Sequence, residues 1–465
     1  MSVRECLARG LAVLASLKLT VGLLATAIGL VFAGTLAQRF GGIWTIVDKY
    51  FRCWVAWVDF KDIMPAAWDV SGTLPYPGGW LIGGALVVNL LVSHASRIRL
   101  QARGQRLALG IATLLVGSVL TWLVISTVFD ADSSQKKIAP FWRVTLQLLQ
   151  GGGVAAILFF GCRMLFGRKA GIVLLHGGLI LMMATEIIAG LLAEEGQMTI
   201  AEGQSSDFVH DIRRTELAVI DPSHPGHDTV VVVPEDMLKG GEKISAPELP
   251  FDLQARRFLK NADLNPIMAR DENPATAGTG LQLIAVKRAE ESGVSTDSRA
   301  DYSAAYVTFM ERGTGASLGT YLTAVETALN ETPERVTVGG KVYHVALRFK
   351  RTYKPYELFL NDFRFERYPG TDKPKDFSSY VRLIDRERAT DRDVRIWMNN
   401  PMRYRGDTIY QSSFDSVTEQ TTVLQVVTNS GWMVPYVACM IVAAGLMGQF
   451  LMHLLEFLRK RRAAA

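Results

Sequence analysis

The sequence predicts an α-helical integral membrane protein of about six transmembrane helices, with a large, mainly β extracytoplasmic domain inserted before the last helix. Three observations carry this. Apolar runs near the ~20 residues that cross a bilayer core fill the first 193 residues and return in the last 35. Between them, Glu194–Ser430 has ordinary soluble composition. Lys and Arg gather in short tracts on alternate connections, as orientation by positive charge requires. The expected divisions are a five-helix membrane region (1–193), a β-rich domain (194–430), and a last helix with a basic tail (431–465).

The elements follow in order. Leu11–Leu36 is apolar for longer than a signal-peptide core and is read as an uncleaved first span, with Lys18 snorkelling or buried in the bundle. An aromatic loop follows, with Trp44, Tyr50, Phe51, Trp54, Trp57, Phe60 and Trp68. Its rings suit a membrane–water boundary or stacking on a flat ligand. Span two runs from Pro77 to about Ala95 and holds Asn89 and His94. Arg97, Arg99, Arg103 and Arg106 come next, then span three, Leu107–Phe129. A polar loop with Asp130, Asp132, Lys136 and Lys137 leads to span four, about Val144–Leu165.

The chain is organised around span five, about Ala170–Ala193, whose stretch Gly171–Glu186 holds one histidine, His176, in an otherwise apolar run. An ionisable group there is costly and marks a candidate site. Span six is Trp432–Leu455, ending in Arg459-Lys460-Arg461-Arg462. With six spans, all the basic tracts share one side. That side is read as the cytoplasm, in a multi-pass protein of the plasma (inner) membrane.

Within the polar segment, short runs such as Leu217–Ile220, Thr229–Val233, Tyr306–Met310, Val342–Phe349, Tyr380–Ile384 and Val394–Met398 are separated by Gly, Pro, Asn and Asp turns. One echo suggests a duplicated strand unit: Pro250-Phe-Asp-Leu with Phe258, and Pro355-Tyr-Glu-Leu with Phe363. The net charge of +5 sits in the membrane-flanking tracts, which argues for topology rather than nucleic-acid binding. The four cysteines form no CxxC or CxxCH, so zinc, thioredoxin-like and covalent-haem motifs are absent.

His94, His176 and His453 fall near the cytoplasmic ends of spans two, five and six. Imidazoles at shared depth suit axial ligation of a haem iron. Hydrogen-bonded structural histidines and a proton relay are the competing readings. The basic loop 97–106 reads as a topology signal or as a partner for haem propionates. His224 and His227 bracket a turn and lack a third metal ligand nearby.

Several motifs then occur in a telling order. They are LASLKLT (Leu14–Thr20), GTLAQ (Gly34–Gln38), PGGWLIGGALVVNLLVSH (Pro77–His94), LLHGGL (Leu174–Leu179), KPYELFLNDFRFERYPGTDKPKDFSSYVRL (Lys354–Leu383) and NNPMRYRGDTIYQSSF (Asn399–Phe414). In the last, Asn399, Pro401, Tyr404, Gly406, Tyr410, Gln411, Ser412 and Ser413 fit a family signature. The chain resembles the ResB family of cytochrome c biogenesis proteins, also called CcsB.

The resemblance implies a role beyond what spacing shows. ResB-like proteins work with a CcsA-type membrane subunit, moving haem b transiently outward and presenting it to apocytochrome c. A thioredoxin-like thiol reductant and membrane lipid are further implied partners, and nucleic acid is not. The chain lacks a WxWD-type segment and so resembles the ResB half, an accessory subunit of a haem lyase with no catalytic residue of its own. By motif context the haem-iron ligand maps to His94 or His176, while His453 lacks that support. The commoner family pattern has four spans, which makes spans three and four an added hairpin. The competing function is a cofactor-free membrane-anchored extracytoplasmic sensor or scaffold.

Overall fold

A computed structural model describes residues 3–64, 68, 70–97, 99–129, 140–268, 272–291, 300–370, 374–415, 418–429 and 431–464. The polar loop after span three, with Asp130, Asp132, Lys136 and Lys137, lies outside the described residues, as does Ser430.

The N-terminal apolar run differs from the expected single span. It is two helices, α1 (Val3–Leu14) and α2 (Leu17–Ala37). Ser16 breaks it by taking extended backbone angles, and its hydroxyl accepts from the Lys18 amide at 3.2 Å. The break leaves carbonyls without helical donors. Buried Asn89 donates to the Leu14 oxygen at 2.6 Å and also to the Ser16 oxygen at 3.2 Å, which accepts the first helical bond of α2 from the Thr20 amide at 3.3 Å. Its own carbonyl accepts from the Thr20 hydroxyl at 2.6 Å.

The aromatic loop folds as α3 (Ile43–Ile46), a π-helical turn at Val47–Phe51, and a hairpin of β1 (Val55–Asp59) and β2 (Thr73–Pro77) around α4 (Phe60–Ile63). Then come α5 (Gly79–Arg97), α6 (Gln105–Phe129), α7 (Pro140–Phe166) and α8 (Ala170–Leu192).

Five stretches are long and apolar enough to cross a membrane: Leu17–Ala37, Gly79–Ser96, Gln105–Ser126, Thr145–Leu192 and Val434–Ala463. The fourth, 48 residues long, is broken between α7 and α8 by a 3-10 turn at Gly167–Lys169. Gly167 there has φ +57°, a conformation glycine adopts without strain. Large apolar side chains on these helices point outward, among them Val21, Ile28, Leu115, Trp122 and Phe160, as expected of surfaces that lipid covers.

The β-rich segment carries β3 (Glu194–Ala201), β4 (Ser205–Asp221), β5 (Thr229–Pro234), α9 (Glu235–Lys239), β6 (Lys243–Ile244), β7 (Asp252–Leu259), β8 (Ala262–Pro266) and β9 (Leu283–Lys287). It continues with β10 (Ala304–Met310), β11 (Ser317–Ala324), α10 (Val325–Leu329), β12 (Glu334–Val338), β13 (Lys341–Arg367), β14 (Pro374–Asp385) and β15 (Thr390–Trp397). It closes with β16 (Met402–Tyr404), β17 (Asp407–Phe414) and β18 (Thr421–Thr428), before α11 (Val434–Ala464).

Two long strands, β4 and β13, run through two cores. At one end they join β5 and β12 and face the β11-β10-β7-β6 sheet across Leu217, Val345, Leu347, Phe251, Leu253 and Phe309. At the other end the order β15-β14-β13-β4-β3-β18-β17-β16 curls around Met198, Leu358, Val381, Leu383, Ile409 and Leu424. Register shifts at Phe349/Lys350 and Tyr353/Leu358 mark the waist, where bulges re-aim side chains. The sequence echo straddles these cores. Phe251 and Leu253 are buried in the first, and Tyr356 and Leu358 in the second.

The curled sheet is rooted in two helices. α8 ends one residue before β3, and β18 ends shortly before α11. β3 and β18 pair antiparallel from Glu194↔Thr428 to Ala201↔Thr421. One helix pair therefore continues into one strand pair.

Candidate functional site

His94 lies near the C-terminal end of α5 and His176 in the second turn of α8. Both sit at the helix ends away from the β-rich segment. The fold brings them together: their ring centroids are 4.2 Å apart, with the planes tilted by 51°. Each ring is fixed from behind by its own helix. His94 Nδ1 lies 2.8 Å from the Leu90 carbonyl oxygen, and His176 Nδ1 lies 2.8 Å from the Ile172 oxygen. A carbonyl only accepts, so in the neutral ring Nδ1 carries the hydrogen and Nε2 the lone pair. That is the arrangement of a metal-binding imidazole, its far nitrogen held by a backbone oxygen. Beside the pair, a Cβ on Gly177 would meet nothing within 4 Å. The flank next to His176 is open.

His453 lies apart from the pair. On α11, Gln449 packs against Gly171, and Glu456 reaches Arg168 at 3.4 Å. This sets His453 beside the 3-10 turn, beyond His176. Its Nε2 is 2.8 Å from Gln449 Nε2. Of the three candidates, the ring contact joins two.

The donor set tests a haem directly. One iron between two imidazole nitrogens, at about 2 Å each, needs ring centroids roughly 6 Å apart. The observed 4.2 Å is shorter. Either ring fits as one axial donor, but as placed they do not flank one iron. No group of three or more His, Cys, Asp or Glu suited to a metal ion occurs among the described residues.

The other candidates are absorbed by the fold. Trp44 stacks under the Arg213 guanidinium at 4.5 Å, and Thr45 donates to Glu290 at 2.5 Å, so the aromatic loop clasps the β-rich segment. Trp54 packs edge-on against Trp80. Arg106 donates to the Arg163 carbonyl at 3.4 Å, tying the ends of α6 and α7. The Cys53 thiol lies 3.1 Å from the Lys49 carbonyl, and burial pushes its pKa up. That disfavours the reactive thiolate. His224 and His227 face each other at 3.9 Å.

His210 is the residue that sequence reading passed over. Burial first, then Arg351 and Arg348, hold its imidazole down at about 4. Among the described residues its Nδ1 has no hydrogen-bond partner. Its sequence neighbours on β4 gave no signal, because the arginines arrive from β13.

The late signature is structural. Asn399 has φ +59° and Gly406 φ +83°, so both sit in left-handed turns. Tyr404 donates to buried Asp385 at 2.6 Å. Gln411 accepts from Ser379 at 2.6 Å and donates to Thr422 at 3.0 Å.

A family match falls on this same region. Residues 335–422 match the ResB-like family. The chain is also 32% identical over 97 residues to Protein NrfI of Wolinella succinogenes. That alignment covers 21% of this chain and 11% of the relative, so the chain spans about a tenth of that curated protein's length. The family match begins in β12 and ends in β18. It contains both late motifs and lies outside the helices that carry His94 and His176.

Proposed function

We propose that this chain, whose residues 335–422 match the ResB-like family, has a role in cytochrome c biogenesis, as the membrane subunit that takes haem and hands it to apocytochrome c with a CcsA-type partner. The observation that carries this reading is the His94–His176 pair, two imidazoles from different membrane helices with Nδ1 tied back and Nε2 carrying the lone pair. One of them would hold the haem iron through its Nε2. Haem is cargo here. What this chain supplies is an imidazole at fixed orientation in an apolar setting, with an open flank beside Gly177.

In this proposal α7 and α8 each cross the membrane, which gives six spans. The basic tracts then lie on the cytoplasmic side. The β-rich segment projects from the opposite face on the paired roots β3 and β18, where it meets apocytochrome and partner.

The test is maturation in cells. In a strain lacking this chain, wild type restores covalently haem-stained cytochrome c. His94→Ala with His176→Ala reduces it at least tenfold, at unchanged membrane abundance of the chain. Full maturation in the double variant contradicts the proposal.

A further inference from the structure

We propose that the elbow between α1 and α2 is a binding site for an anionic phospholipid, held through its phosphate. At the elbow a groove of about 500 Å³ is lined by Ala12, Val13, Ser16, Lys18 and Leu19. Its walls are apolar except for the Ser16 hydroxyl and one cation. Lys18 stands in the first turn of a helix apolar enough to cross a membrane. Its side chain is exposed. Among the described residues its ammonium has no carboxylate or carbonyl partner; the Ser16 hydroxyl is bonded by the backbone amide of Lys18, not by its side chain.

A bare ammonium against hydrocarbon is costly. Lysine relieves the cost by extending to the headgroup layer, where a lipid phosphate gives it a counter-charge. The surroundings fit that ligand. Leu11, Val13, Leu14, Leu17 and Val21 are exposed around the elbow and would lie along acyl chains. α1 itself carries Arg4 and Arg9 against one acid, Glu5, so the segment is net positive, the sign that attracts anionic headgroups. The elbow is also held open. Asn89, 2% exposed, grips both carbonyls of the break and prevents α1 from running straight into α2.

The test is lipid retention by the full-length protein, delipidated in detergent and weighed intact by native mass spectrometry. Titrants are phosphatidylglycerol, phosphatidylcholine and inorganic phosphate. Wild type retains one phosphatidylglycerol about fivefold more tightly than phosphatidylcholine, as one lysine at a charged surface provides. Lys18→Gln removes that preference. Ala12→Trp, which fills the groove and keeps the charge, weakens retention of both lipids. An unchanged thermal midpoint in lipid-free detergent shows that each variant is folded. Equal retention of the two lipids by wild type overturns the proposal, as does an unchanged preference in Lys18→Gln. Displacement of phosphatidylglycerol by millimolar inorganic phosphate overturns the lipid as the source of the anion.

Discussion

Gly171 of α8 and Gly445 of α11 meet backbone to backbone. A Cβ on Gly445 would stand 2.8 Å from the Gly171 carbonyl oxygen and 2.7 Å from the Leu175 amide nitrogen. Gly178 repeats the approach two turns on, with the Ala438 oxygen 3.0 Å from where its Cβ would be. Small residues permit close helix crossings in membranes, and this crossing carries the roots of the curled sheet. Gly445→Leu is expected to separate α8 from α11 and loosen β3 from β18. Cysteines placed at positions 194 and 428 of a cysteine-free background form a disulfide readily, and the Gly445→Leu substitution lowers that yield severalfold. An unchanged yield contradicts the coupling.

Asp407 is a buried anion of the curled sheet. It accepts from Lys354 at 3.0 Å, Tyr356 at 2.7 Å and Thr428 at 2.5 Å. Asp407→Ala strands the lysine in a place with little water and is expected to cost roughly 3–5 kcal/mol. Tyr356→Phe removes one donor and costs about 1–3 kcal/mol. Denaturant unfolding followed by near-ultraviolet circular dichroism ranks the two, and Tyr356→Phe should be the milder.

His210 makes stability depend on pH. Its folded-state value of about 4 lies below the ordinary 6.5. The unfolded chain therefore binds the proton more readily. The contribution is full above pH 6.5 and is lost as pH falls toward 4, on the order of 2 to 3 kcal/mol. His210→Gln should flatten this slope between pH 6.5 and 4. A slope identical to wild type contradicts the assignment.

Much of the architecture was legible because lipid and water impose different periodicities. Long apolar runs gave α5, α6, α7 and α8 within a few residues, and the start of α11, which runs on through the basic tail to Ala464. Short β-branched runs between turn residues gave β5, β10 and β15. The break at Ser16 was not legible. The residue that satisfies it, Asn89, is 73 positions away, and apolar content alone continues across the gap. Shared helical depth grouped three histidines, but depth says nothing of which way a ring points around its helix. Packing separated His453 from the other two. The signature around Tyr404 and Gln411 identified a family because it fixes turns and buried hydrogen bonds, which is a folding role.

The haem-carrier account rests on one imidazole of a membrane pair. Its most direct test is the absorption spectrum of the full-length chain, purified after co-expression with a CcsA-type partner, for wild type, His94→Ala, His176→Ala and His453→Ala. The account predicts a Soret band in wild type and His453→Ala, lost or shifted in at least one of the other two. A wild-type complex without a Soret band, or one spectrum shared by all four proteins, contradicts it.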